Sequence, residues 1–142
     1  AVSSIAGLKG LRGAPAYSAS KHGMIGLVRA LAADFTGTPM TFNALCPGYT
    51  ETNIIDENVT RIKDRAGISA EEARAVMVGA NPHGRLIAPQ EVATAALWLC
   101  QDGSQSVNEQ SIENSGGEVE PPQAGPDRCR GFPVFAMKTP GR

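Results

Sequence analysis

The chain has 142 residues, 42% of them hydrophobic, and a formal net charge of −1. That length makes one domain with a sizeable core, and the balanced charge removes the electrostatic case for a nucleic-acid or membrane-surface partner. Cys46, Cys100 and Cys129 are odd in number and unpatterned, which fits a reducing compartment. With no run near the ~20 apolar residues of a membrane span and no signal peptide, the expected location is cytoplasmic.

Residues 1–4 read as the end of a buried strand, and 5–14 as a glycine-rich loop. Gly7, Gly10 and Gly13 are evenly spaced there, but no full apolar strand leads into them, so they do not form a phosphate cradle. Pro15 or Ala16 opens a helix that runs to about Phe35. Met24, Leu27, Val28, Leu31 and Phe35 recur in it at three- and four-residue spacing, which predicts one apolar stripe. Tyr17 and Lys21 lie four residues apart near its start, so a phenol and an ammonium share one face. A phenol ordinarily titrates near ~10. A neighbouring cation favours its ionised form and moves it toward the range useful for proton transfer. His22 reads as a helix-surface residue and His83 as a loop residue. Neither belongs to a ligand-spaced cluster, so no metal is expected.

Gly37-Thr38-Pro39 ends the helix. Met40 to Cys46 reads as a short strand, broken by Pro47-Gly48 at its C-terminal end, where open α/β sheets hold ligands. Residues 53–85 are a mostly polar helical stretch, in which Ser69 and Glu72 predict a capping box. Asn81-Pro82-His83-Gly84-Arg85 closes it. Pro89 suits the first turn of another helix. Its expected buried face is Val92, Ala95, Ala96 and Leu99, with Trp98 as core or subunit-contact surface. Asp102-Gly103 stops this helix, and Gln110 to Ser115 is the expected last strand. Residues 120–142 hold five of the ten prolines and are expected to be disordered, with Phe132, Val134 and Phe135 as a small apolar island.

Ser4, Tyr17, Lys21, Pro47-Gly48 and Thr52, in this order and with these gaps, resemble the short-chain dehydrogenase/reductase family. The resemblance covers residues 1 to about 119, including the late helix and the Gly116-Gly117-Glu118-Val119 ending. It implies an α/β fold, the C-terminal half of a Rossmann-type doubly wound parallel sheet. The chain opens where the family ends its fifth strand, and no Gly-x-Gly-x-x-Gly turn follows an early strand. The expectation is therefore that the N-terminal nucleotide-binding half is absent, leaving a partial domain over 1–119 and a tail over 120–142.

The same resemblance implies roles. Tyr17 is the general acid/base and is also counted among the cofactor-binding residues, and Lys21 lowers the Tyr17 pKa and hydrogen-bonds the nicotinamide ribose. Ser4, thirteen residues before the tyrosine, binds the substrate oxygen, while Ser3 faces sheet packing or the cofactor. Pro47, Gly48, the backbone around Thr50 and the Thr52 hydroxyl line the nicotinamide. The implied cofactor is NAD or NADP, because no side chain supplies a hydride. The implied substrate is a small-molecule ketone or secondary alcohol, and the full-length protein is expected to be a homo-oligomer.

Residues 53–85 correspond to the family's substrate lid. The Tyr17–Gly23 run and the ending look most like 3-oxoacyl and 3-hydroxyacyl reductases and dehydrogenases, with polyketide ketoreductases almost as close. The alternative is a non-enzymatic truncated remnant that acts as an association partner. Two departures stand out: Glu109 where the family commonly has glycine, and Asn114 where it has an apolar or acidic residue. A charge at a tight entry and an amide in a buried strand each need a partner or cost stability.

Overall fold

The structure is a computed structural model that describes residues 1–119; the tail over 120–142, with Cys129 and the Phe132–Phe135 island, lies outside the described residues. A short parallel ladder organises the fold. Strand β1 (Ala44–Pro47) pairs with β2 (Ser111–Asn114) in a register running from Ala44↔Ser111 to Pro47↔Asn114. On the other edge of β1, Val2 forms a parallel bridge with Leu45. There the Ser3 N–H donates to the Leu45 carbonyl at 2.7 Å, and the Leu45 N–H donates to the Ala1 carbonyl at 2.9 Å. β1 is thus central, and its neighbours on both edges run the same way.

Parallel neighbours require long crossovers, normally helical. Helix α1 (Pro15–Asp34) joins the Val2 segment to β1, and α2 (Ile54–Ala66), α3 (Ala70–Ala80) and α4 (Pro89–Leu99) lie between β1 and β2. The strand expected from Met40 is shorter than its apolar pattern. The Phe42 N–H donates to Asn108 Oδ1 at 2.7 Å, Asn43 Nδ2 donates to the Val107 carbonyl at 2.7 Å, and the Gln110 N–H donates to Asn43 Oδ1 at 3.0 Å. One backbone bond persists there, from the Glu109 N–H to the Phe42 carbonyl at 2.8 Å, but side-chain amides take the bonds around it, so regular pairing starts only at Ala44.

Pro15 opens α1, where its missing N–H costs nothing and its fixed φ suits the first turn. The helix buries Ser18, Ile25, Val28 and Ala32. Ile25 and Val28 pack with Ala44 and Cys46 of β1, bordered by Leu8 and Phe42. This corrects the expected stripe: of Met24, Leu27, Val28, Leu31 and Phe35, only Val28 enters that core, and Leu27 is 60% exposed. The helix is apolar on two sides, and periodicity locates a stripe without saying which side the sheet takes.

The capping box at α3 forms as expected: Ser69 Oγ accepts the Glu72 N–H at 3.1 Å, and Glu72 Oε2 accepts the Ser69 N–H at 2.8 Å. These bonds lower the Glu72 carboxyl below its ordinary value. A second apolar cluster, Ile55, Met77 and Leu86, holds α2 and α3 together, with Tyr49, Val59, Ile62 and Val78 packed against it. Helix α4 differs from expectation. Val92, Ala95, Ala96 and Leu99 are only partly covered, while Leu97 is 63% and Trp98 48% exposed among the described residues. Its start is tied down by Arg85, which donates two hydrogen bonds to Glu91 at 2.6 and 2.8 Å, and by the Ala88 N–H donating to Glu91 at 2.8 Å. Both family departures have structural consequences. Glu109 is the one non-glycine with positive φ among the described residues, at 63°. Asn114 Oδ1 is buried with no hydrogen-bond partner among them.

Candidate active site

The first strand end, the glycine-rich loop and the start of α1 meet at Lys21. Ser4 Oγ accepts the Ala6 N–H at 3.1 Å and so caps the short 3₁₀ turn Ile5–Gly7. An accepting hydroxyl keeps its own proton free to donate. The Ser3 hydroxyl differs, donating to the Lys21 carbonyl at 3.0 Å. Gly7 lies flush against α1: a Cβ there would sit 2.8 Å from the Lys21 carbonyl, Ser3 Oγ and Ile25 Cδ1 alike. The Leu11 N–H donates to Ser18 Oγ at 3.1 Å, which pins the far end of the loop to the first turns of the helix.

Tyr17 is 47% exposed, and Lys21 Nζ stands 5.5 Å from its ring centroid. That places a cation within reach of the ring's electron-rich face. Lys21 Nζ donates otherwise only to the Val2 carbonyl, at 3.5 Å, among the described residues. His22 has its Nδ1 2.9 Å from the Ser18 carbonyl.

The turn after β1 is built by long-range contacts. The Gly48 N–H donates the last ladder bond to the Asn114 carbonyl at 3.0 Å. Thr50 bridges Ile87, with the Glu51 N–H donating to the Ile87 carbonyl at 2.8 Å and the Ile87 N–H to the Tyr49 carbonyl at 2.9 Å. The Thr50 hydroxyl donates to the Gly48 carbonyl at 3.1 Å and the Thr52 hydroxyl to the Thr50 carbonyl at 3.5 Å. Both hydroxyls therefore turn back on their own loop, and neither hydrogen-bonds Tyr17 or Lys21.

Further residues meet at this turn. Asn81 holds the Tyr49 backbone by its side chain. Burial raises the Tyr49 phenol above its usual value, with Glu118 and then Tyr17 adding to the effect, so it stays protonated. Lys9 reaches from the glycine-rich loop to Glu118, 3.2 Å from its carboxylate and donating to its carbonyl at 3.1 Å. Cys46 lies beneath, its thiol pushed up chiefly by burial, with a hydrogen bond from the Ser4 backbone opposing. Cys46 and Tyr49 flank Pro47-Gly48, Glu118 belongs to the Gly116–Val119 ending, and Asn81 begins the sequence that closes the polar helical stretch; Lys9 carried no local signal.

Arg65, at the end of α2, donates to the Gly13 carbonyl at 3.1 Å, so the region expected as a lid touches the glycine-rich loop. An open cleft of about 500 Å³ at that contact is lined by Arg12, Gly13 and Arg65 and does not include Tyr17. No group of three or more metal-ligating side chains occurs among the described residues, and no described helix is long and apolar enough to cross a membrane.

A family profile described as enoyl-(acyl carrier protein) reductase matches residues 1–118. The chain is 35% identical over 116 residues to a putative ketoacyl reductase of Streptomyces coelicolor, covering 82% of this chain and 44% of the relative. It is 36% identical over 116 residues to a 3-oxoacyl-[acyl-carrier-protein] reductase of Aggregatibacter actinomycetemcomitans, covering 82% and 43%. In three dimensions it superposes on actinorhodin polyketide ketoreductase with NADPH at a TM-score of 0.80 and 34% identity, covering 84% of this chain and 46% of that one. The chain thus spans somewhat less than half the length of the proteins it matches.

Proposed function

Because the chain belongs to the short-chain dehydrogenase/reductase family, we propose that it carries the proton-transfer and substrate-oxygen site of an NAD- or NADP-dependent oxidoreductase. Its substrate is a small-molecule ketone or secondary alcohol, within which a 3-oxoacyl or 3-hydroxyacyl chain is favoured by the kinds of relatives it matches. The observation that carries this reading is the Lys21 ammonium over the Tyr17 ring, on a helix whose first turns are pinned to Ser3, the neighbour of Ser4 in the chain, and to Leu11.

In reduction, Tyr17 donates its phenolic proton to the substrate carbonyl oxygen; in oxidation, it takes the proton from the alcohol. The Ser4 O–H donates to no group among the described residues and supplies a second donor to the same oxygen. Two donors aimed where negative charge grows stabilise the transition state more than the ground state. Lys21 has donors to spare for a ribose hydroxyl while stabilising charge on Tyr17. A bound nicotinamide supplies or accepts the hydride. The residues present fit it: the Pro47–Thr52 turn leaves a parallel strand at its C-terminal end, where such ligands sit. Pro47, Gly48, Thr50 and Thr52 line it in this reading.

The oxidoreductase domain is assigned to residues 1–119. The exposed Leu27, Leu97 and Trp98 support a homo-oligomer, and Cys46 and Cys100, which form no disulfide among the described residues, support a reducing, cytoplasmic compartment. The test is dinucleotide oxidation by the full-length gene product with a 3-oxoacyl thioester. Tyr17→Phe should lower kcat by about 10²–10⁴-fold while leaving dinucleotide affinity unchanged. Retention of more than about a tenth of wild-type kcat rejects the Tyr17 assignment, whereas a wild-type protein with no turnover favours the non-enzymatic association partner.

A further inference from the structure

Strand β1 runs out of partners at Gly48, whose N–H makes the last bond to β2. The next residue, Tyr49, accepts one backbone bond, from the Ile87 N–H at 2.9 Å, and its own N–H goes to a side chain. Asn81, directly after α3, is 1% exposed. Its Oδ1 accepts the Tyr49 N–H at 3.1 Å, and its Nδ2 donates to the Tyr49 carbonyl at 2.9 Å and to the Arg85 carbonyl at 2.7 Å. One acceptor and two donors meet one N–H and two carbonyls, so the amide's orientation is forced by its partners. The carboxamide thus offers Tyr49 an acceptor and a donor together, as a neighbouring strand would. A Cβ on Gly48 would lie 2.7 Å from the same Oδ1, so the amide also seats against that glycine.

We propose that Asn81 is a positioning residue: its carboxamide sets the backbone of the Pro47–Thr52 loop, and with it the surface that loop offers the nicotinamide, and links that surface to helix α3. The proposal rests on the oxidoreductase reading for its functional meaning and on the three bonds for its geometry. The apolar cluster Ile55, Met77 and Leu86 joins α2 to α3 independently of this amide. Loss of the amide therefore loosens the loop and leaves that cluster in place.

Two variants test it in the full-length gene product. Asn81→Ala removes all three bonds. Asn81→Asp keeps the shape and the acceptor for the Tyr49 N–H, but sets a carboxylate oxygen against the Tyr49 and Arg85 carbonyls. Both should raise the dinucleotide KM about tenfold, the factor that ~1.4 kcal/mol of lost buried hydrogen bonding represents. KM does not depend on the fraction of protein folded, so a merely structural role would lower apparent kcat and leave KM alone. Hydrogen–deuterium exchange should quicken in peptides covering 47–52 and 85–87, with the Ala44–Cys46 strand unchanged.

Wild-type KM and exchange in Asn81→Asp would overturn the proposal. So would failure of both variants to fold, which would place Asn81 in the folding core. A wild-type protein that binds no dinucleotide sinks the oxidoreductase reading instead, and exchange at 47–52 then still decides whether Asn81 sets the loop.

Discussion

Gly48→Ala places one methyl group against the least yielding part of the site. A Cβ there would stand 2.7 Å from Asn81 Oδ1, 3.1 Å from Glu118 Oε2 and 3.3 Å from Ser115 Cα. Gly48 has no positive φ, so backbone strain contributes nothing and the whole effect is contact. Asn81 and Ser115 are each 1% exposed, and Asn81 is tethered by three hydrogen bonds. The neighbours therefore cannot retreat cheaply. Overpacking of this kind costs ~1–3 kcal/mol, and displacing the amide adds the desolvation of the Tyr49 N–H. The expected loss is about 2 kcal/mol, roughly a 30-fold change in the folding equilibrium.

Gly26→Ala supplies the opposite sign. Gly26 lies inside α1 with nothing within 4 Å of a built Cβ, so alanine should gain about 0.5–1 kcal/mol through helix propensity. Urea denaturation of the full-length gene product, followed by circular dichroism, reads both as shifts in midpoint at constant slope. A Gly48→Ala variant within about 0.5 kcal/mol of wild type, or a Gly26→Ala variant that loses more, would refute the packing argument.

Glu109→Gly should stabilise the chain by about 0.5–1 kcal/mol in the same assay. Glycine holds the same positive φ without the Cβ clash, which relieves ~1–2 kcal/mol, and its larger unfolded-state entropy takes part of that back; a net loss would mean the Glu109 side chain holds something. Ser4→Ala should lower kcat less than Tyr17→Phe but more than Ser3→Ala, and the reverse order of the serines would move the substrate oxygen to Ser3. Glu91 is held at about 2, below the ordinary 4.5, by Arg85 first and then the Ala88 N–H. The stability it contributes is present above pH 4.5 and lost as pH falls toward 2. Glu91→Gln should accordingly be less stable than wild type at neutral pH, with the gap closing near pH 2; a gap that ignores pH removes the ion-pair explanation. An alkylating reagent should modify the exposed Cys100 well before Cys46, which is buried and whose thiol is pushed up by that burial. Equal labelling by peptide mass spectrometry would contradict the buried placement of Cys46.

Several features of this protein belong to the sequence alone because each depends on near neighbours. Pro15 and Pro89 open α1 and α4 through a fixed φ, and Ser69 with Glu72 closes a capping box three residues wide. Tyr17 and Lys21 face each other by helical spacing. Glu109 was legible as a residue on a glycine's site, and the backbone there does adopt a positive φ. Other features required the assembled chain. Which side of α1 meets the sheet is decided by Ala44 and Cys46, not by the helix's own period. The ladder starts at Ala44 rather than Met40 because Asn108, 66 residues away in sequence, takes the Phe42 N–H. Asn81 finds Tyr49 across 32 residues, and Lys9 finds Glu118 across 109. A cap or a helical repeat is a property of a few consecutive dihedrals, whereas a buried amide takes its meaning from whichever backbone the fold brings to it.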